Sequence, residues 1–264
     1  MTPRRLGLLA AALCIAALAA AELWHLRAIR SPEADLPICR VDTQRKVVAL
    51  SFDDGPDPAY TPAILRLLTS AGDRATFFVL GSQAERQPPL VRSELVAGMQ
   101  VGDHTWSHPH LPSVDLASMR TELDRAQALL AGLGAGVSLF RAPYGEITPD
   151  QLAAVRAAGL TSVQWSVPLD HYVGGLGLAP REAAAALVGD LQPGDIILAH
   201  DAHLLPQDGG AARTAAMAAL QLLIPALKAK GFEVTTVSDL LGTGTPVKAE
   251  PRPWFWQTGF NCPR

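Results

Sequence analysis

From Lys46 onward the chain alternates short β-rich runs with Ala-, Leu- and Arg-rich stretches of helical character, and this alternation narrows the fold more than any other feature. The runs Val47–Ser51, Ala75–Leu80, Gln100–Thr105, Leu139–Ala142, Thr161–Trp165, Asp195–Ala199 and Phe232–Val237 read as strands. Helices are expected between them, near 60–71, 88–98, 115–131, 148–158, 180–190 and 211–230. Strands separated by helices predict an α/β fold with about seven parallel strands, either a barrel or an open sheet. With 264 residues, 48% hydrophobic and 18% charged, the chain can form one large domain with a real core.

In parallel β/α folds, loops at the strand ends carry the chemistry. The conspicuous polar residues fall there. Asp53 and Asp54 follow the first run, His104 and His108 the third, Arg141 the fourth, Asp170 the fifth, and His200 with Asp201 the sixth. All therefore belong to one rim. In "HTWSH" two imidazoles stand four residues apart, on one face of a helical turn or a tight loop. Two histidines and one carboxylate make a three-ligand site that leaves positions open, as a catalytic metal needs. Adjacent acids at a strand end point in different directions. Asp54 is read as the ligand and Asp53 as the base that takes a proton from the attacking water. Taken alone, the Asp pair would also serve as a turn cap before Gly55-Pro56.

The two ends of the chain speak to location. Arg4-Arg5, the apolar stretch Leu6–Ala21 and the small run Ala19-Ala20-Ala21 have the layout of a secretory signal. Read on to Leu26, the same stretch approaches the ~20 residues that span a bilayer. Residues 1–26 are thus a signal peptide or an N-terminal membrane anchor, and 27–45 a polar linker. Export is expected, to the periplasm, the extracellular space or the outer face of the inner membrane. Cys39 and Cys262 bracket the domain and could form a disulfide in an oxidising compartment. Residues 243–264 are an aperiodic tail whose Trp254, Phe255 and Trp256 could pack the domain shut or stack on sugar. The net charge is −3 and no basic block follows Arg4-Arg5, which excludes a nucleic-acid partner.

Four motifs in order, "SFDDGP" (51–56), "HTWSH" (104–108), "RAPYG" (141–145) and "ILAHD" (197–201), resemble those of the polysaccharide deacetylases, with a NodB homology domain, carbohydrate esterase family four. The stretch "RATFFVLGSQAE" is similar too, and the domain would span 46–242. The resemblance implies a distorted (β/α)-barrel, a divalent metal, most often Zn2+, and hydrolysis of N-acetyl or O-acetyl groups on a glycan. It implies Asp53 as base, Asp54, His104 and His108 as metal ligands, and Arg141 as the residue holding the base. The backbone N–H of Tyr144 would meet the oxyanion, His200 would protonate the departing amine, and Leu198 would wall the acyl pocket. One motif departs from the pattern. Where the family has an Asp-Trp pair this chain has Asp170-His171 in "WSVPLDHY". Asp170 would support His200, and His171 would take the place of the wall tryptophan. A shift of one residue would instead match His171 to the Asp and Tyr172 to the Trp.

Three functions compete on these residues: a metal-dependent deacetylase of an exported, acetylated glycan, a membrane-anchored deacylase of a lipid-linked sugar, and a silent glycan-binding module. A silent module would be marked by loss of a ligand or of the base, and none is lost.

Overall fold

A computed structural model describes residues 36–202, 211–251 and 260–263 of the chain. The apolar leader, the start of the linker and Trp254–Trp256 lie outside these residues.

Strand β1 (Ile38–Asp42) leads into β2 (Val47–Asp53), which is buried along its whole length. That matches its near-continuous apolar sequence and its central place in a parallel sheet. There follow α1 (Thr61–Ala71), β3 (Thr76–Val79), α2 (Gly81–Arg86), α3 (Pro88–Val96), β4 (Gln100–Asp103) and α4 (Leu116–Gly132). The chain continues through β5 (Leu139–Phe140), α5 (Pro149–Ala157), β6 (Thr161–Ser162), β7 (Val167–Pro168), α6 (Pro180–Asp190), β8 (Ile196–His200), α7 (Ala211–Ala229), β9 (Glu233–Thr235), α8 (Val237–Leu241) and β10 (Thr245–Lys248). Local chemistry sets several of these boundaries. Asp115 accepts from Ser118 N–H to cap α4, and Thr148 with Gln151 forms a capping box on α5.

The main sheet has the order β6-β5-β4-β3-β2-β8-β7, all parallel, with β9 also paired to β2. The β9 strand runs along residues 47–49 of β2 and β3 along residues 51–53, so the two share the length of the central strand. The sheet is curled, in agreement with the distorted barrel. The fifth expected strand, Thr161–Trp165, is shortened to β6, and a second short strand, β7, follows it on the opposite edge of the sheet. Only residues 163–166 connect β6 to β7, so these edges must approach each other. Gln164 N–H donates to Ile38 O at 2.6 Å, which places β1 at this seam.

The described parts of the linker and tail, 36–45, 243–251 and 260–263, carry more structure than their sequence suggests. β1 pairs antiparallel with β10, and Cys39 is joined to Cys262 by a disulfide across 223 residues. Neither segment has a clear period of its own, because each depends on the other for its ladder. The core lies on both faces of the sheet. The largest cluster packs Leu50, Phe52, Ile64, Phe77, Leu187 and Leu223 between the strands and α1, α6 and α7.

One buried group runs against this packing. Glu94, on α3, is fully buried, and among the described residues neither of its carboxylate oxygens has a hydrogen-bond partner. Burial first, then repulsion by Asp201, pushes its carboxyl well above the ordinary 4.5. The folded chain then keeps a proton that the unfolded chain releases above that ordinary value. Stability is therefore full at low pH and falls as pH rises. Glu94→Met is expected to gain about 1–3 kcal/mol at pH 7, the order of an unsatisfied buried polar group. The gain should shrink toward pH 4 in urea unfolding. A gain that is absent, or the same at both pH values, would sink this account.

Candidate active site

The strand ends are level. In register Asp53 lies opposite Phe78 on one side and His200 on the other, Val79 opposite Asp103, and Asp103 opposite Phe140. One pocket of about 350 Å³ opens on this rim, lined by Asp53, Asp54, His104, His108, Tyr144, Trp165, Asp170, Leu198, His200 and Arg213.

Asp54 leaves the extended path of β2 with φ 81°, unusual for a residue with a side chain, and this separates its carboxylate from that of Asp53. Beyond it, the cis peptide Gly55-Pro56 turns the chain into α1. Asp201 holds this turn from behind. Its carboxylate accepts from Thr61 Oγ1 at 2.5 Å, while its own N–H donates to Asp53 O at 3.2 Å. A Cβ on Gly55 would lie 2.2 Å from an Asp201 carboxylate oxygen, so only glycine fits. Burial, opposed by the Thr61 bond and reinforced by Asp54 and Asp53, lifts the Asp201 carboxyl to about 7.

Three side chains converge beside the turn. His104 Nε2 and His108 Nε2 each lie 3.4 Å from Asp54 Oδ1, and one ligand atom from each of the three residues lies within 4.8 Å of the others. His104 Nδ1 is 2.8 Å from Arg141 O; a carbonyl only accepts, so Nδ1 carries the hydrogen and Nε2 is left to face Asp54. Burial lowers the affinity of His104 for a proton, but Asp53 and Asp54 reverse that and raise it above the ordinary value. Burial and His104 bring His108 down to about 4, which makes it a neutral imidazole at neutral pH. Burial pushes the Asp54 carboxyl up, but His104 above all, together with His200 and His108, holds it below the ordinary range.

These residues fit a divalent cation. Asp54 Oδ1 is buried with no hydrogen-bond partner among the described residues, and it sits between two imidazole nitrogens. Two nitrogens and one oxygen are a donor set for zinc or a similar ion, and a cation there would satisfy the orphaned oxygen.

Asp53 is held differently. Arg141, fully buried, donates from Nη1 to Asp53 Oδ1 at 2.7 Å and to Ser51 Oγ at 2.9 Å, and from Nη2 to Gln164 O at 3.0 Å. Its guanidinium lies 4.1 Å from the centre of the Phe78 ring. Across the pocket, His200 Nδ1 is hydrogen-bonded to Asp170 Oδ2, leaving Nε2 as the nitrogen a substrate can use. Burial opposes charge on His200, but Asp170, then Asp54 and Asp53, raise its pKa above the ordinary value. Burial raises Asp170, and His200 with Arg213 bring it below the ordinary range.

Of the residues expected at the site, Asp53, Asp54, His104, His108, Tyr144, Asp170, Leu198 and His200 line one pocket, with Arg141 directly behind Asp53. His171 is placed elsewhere. It starts the π-helical turn His171–Gly175, is exposed, and packs its ring against Tyr172 at 5.6 Å. Successive residues of a helical turn point about 100° apart, so with Asp170 aimed at His200 its neighbour is turned away. Trp165 lines the pocket instead. The sequence places it at the end of an expected strand; the break between β6 and β7 is what frees it. Arg213, from the first turn of α7, lies 3.4 Å from both Asp170 Oδ2 and His200 O, and no motif marks it.

Comparison with known proteins agrees with this geometry. A family model described as "Polysaccharide deacetylase" matches residues 40–163. A chitooligosaccharide deacetylase of Bradyrhizobium sp. (strain ANU 289) is 36% identical over 200 residues, 73% of this chain and 90% of that protein. A peptidoglycan-N-acetylglucosamine deacetylase of Bacillus cereus is 32% identical over 209 residues, 76% and 91% of the two chains. Among solved structures, a family 4 carbohydrate esterase from Streptomyces lividans in complex with acetate is 34% identical. It superposes with a TM-score of 0.62 over 79% of this chain and 98% of that one.

Proposed function

Because this chain belongs to the polysaccharide deacetylase family of hydrolases, we propose that it removes N-acetyl groups from an amino-sugar glycan outside the cytoplasm, using a divalent cation, most readily Zn2+. The observation that carries this reading is the orphaned Asp54 Oδ1 between His104 Nε2 and His108 Nε2, beside a carboxylate held by a buried arginine. The amino-sugar class is supported by the relatives named for chitooligosaccharide and for peptidoglycan N-acetylglucosamine.

A cation held by Asp54, His104 and His108 would polarise the acetyl carbonyl and favour attack by water. Asp53 takes a proton from that water, with its carboxylate kept in place by Arg141. The water oxygen bonds to the acyl carbon, and the negative charge that builds on the carbonyl oxygen falls near the Tyr144 main chain. His200 gives the proton on Nε2 to the nitrogen as the carbon–nitrogen bond breaks, releasing acetate and a free amine. Asp170 orients the imidazole and stabilises its charged form. Leu198 and Trp165 shape the apolar part of the pocket around the methyl group.

Location is supported by the disulfide, which suits an oxidising compartment, and by the leader-like residues 1–26. Among the described residues no helix is long and apolar enough to cross a membrane. Residues 1–26, on which the membrane-anchored, lipid-linked alternative rests, lie outside the described residues. The silent-module reading requires a broken site, and this one has ligands, base and acid in one pocket.

Acetate release tests the proposal, measured on chitin oligomers, acetylxylan and peptidoglycan fragments with chelator-stripped and zinc-restored protein. Release from an amino-sugar substrate that disappears on stripping and returns with zinc is expected. Release from acetylxylan alone would move the assignment to O-acetyl groups. Activity untouched by stripping would overturn the metal reading.

A further inference from the structure

We propose that Glu122 is a positioning residue for the metal site: it holds the loop that carries His104 and His108 in ligating geometry. The inference rests on the reading of Asp54, His104 and His108 as metal ligands.

The loop 104–108 adopts an unfavourable path. Thr105 has φ 71° and His108, itself a ligand, φ 62°, and neither is glycine. Such conformations persist only where the surroundings over-determine them. Tracing the backbone N–H groups shows what does so. Thr105 N–H donates to Oδ1 of Asp103, the last residue of β4, at 2.7 Å, and His108 N–H to Thr105 Oγ1 within the loop at 3.1 Å. The two N–H groups between them go to a residue from another element. Trp106 N–H and Ser107 N–H donate to Glu122 Oε2 at 2.9 and 2.7 Å, and Ser107 Oγ donates to Glu122 Oε1 at 2.8 Å.

Glu122 belongs to α4, and Arg125, on the next turn of that helix, lays its guanidinium 3.5 Å from the centre of the Trp106 ring. From the other side, Gly81 N–H and Ser82 N–H at the start of α2 donate to Thr105 O and Trp106 O, each at 3.0 Å. The middle of the loop is thus gripped between two helices. On the α2 side only main chain is used, with Gly81 lacking the Cβ that would lie 2.4 Å from the Trp106 ring. On the α4 side the grip depends on one carboxylate that uses both oxygens and accepts three donors. Charge-assisted bonds of this kind are short and directional. Glu122 is not hydrogen-bonded to His104 or His108; it acts on them through the peptide groups of Trp106 and Ser107. Glutamine keeps the length but has a single acceptor oxygen, aspartate keeps the charge but is one carbon short, and alanine removes the grip.

The test is the zinc affinity of metal-free wild type, Glu122→Gln, Glu122→Asp and Glu122→Ala, titrated against a chromophoric chelator. Circular dichroism identifies the variants that are folded. Outer-shell partners of metal ligands typically contribute about 10–100-fold in affinity, and a loss of that size is expected for Glu122→Ala and Glu122→Asp. Glu122→Gln should lose less, so that it ranks between them and wild type. A folded variant of any of the three that binds zinc as tightly as wild type overturns the positioning role and leaves the metal site itself standing. A wild type that binds no zinc overturns the ligand assignment, and this proposal with it.

Discussion

Asp53→Asn is expected to lower turnover a hundredfold or more while Asp54, His104 and His108 still bind the proposed cation. Asparagine has the shape of aspartate and can still accept the Arg141 bond, now 2.7 Å long, through its amide oxygen. It cannot take a proton. General-base contributions are commonly about 10²–10⁴-fold, which sets the expected loss. The carboxylate nearest both histidines is that of Asp54, whereas Asp53 Oδ2 lies 3.8 Å from His104 Nε2. Metal content and rate are to be measured on one preparation. Near-normal turnover would remove Asp53 from the role of base. Loss of the metal together with the rate would make it a ligand, and the division of labour between the two adjacent acids would have to be redrawn.

The second large effect is on stability. Arg141→Met is expected to destabilise the fold by about 3–5 kcal/mol, the range for removing one partner of a buried ion pair. No solvent screening reduces this figure, because Arg141 is 0% and Asp53 3% exposed. Methionine fills much of the volume but leaves Asp53, Ser51 Oγ and Gln164 O without their donor. Arg141→Lys should rescue little, since one ammonium cannot reproduce a planar fork that meets acceptors on three residues. The informative control is the double variant with Asp53→Asn. With the buried charge gone, part of the loss should return, by a coupling of about 0.5–3 kcal/mol. Additive losses in urea unfolding would show that Arg141 matters to packing and not to the charge on Asp53.

The six longer helices were legible because each carries its own start and stop, whereas the short α2 and α8 were not expected. The expected 60–71, 148–158 and 180–190 appear as Thr61–Ala71, Pro149–Ala157 and Pro180–Asp190, each opening on a Pro in its first turn. Strands with a long apolar run were legible for the same local reason. β6, β7, β1 and β10 were not read correctly, since two-residue pairings and a ribbon between distant segments have no local period. At the site, legibility followed chemistry. Adjacent carboxylates at a strand end and imidazoles four apart are rare enough to be noticed, and they do meet. Trp165, Arg213 and Glu122 belong to no recognisable pattern in the sequence, and His171 was expected in a wall from which it turns away.

The sequence by itself therefore determined the α/β class, the order of the longer helices and strands and the identity of the groups that could do the chemistry, because propensity, period and ionisable side chains are properties of short segments. The tertiary structure decided which of those groups share a pocket, that Arg141 reaches Asp53 from 88 residues away, that Trp165 replaces His171 beside it, and that α4 grips the histidine loop. Each of these depends on register and on the curl of a parallel sheet, which brings strand ends level and edges together. That geometry arises from contacts between segments far apart in the chain, and no short stretch of residues encodes it alone.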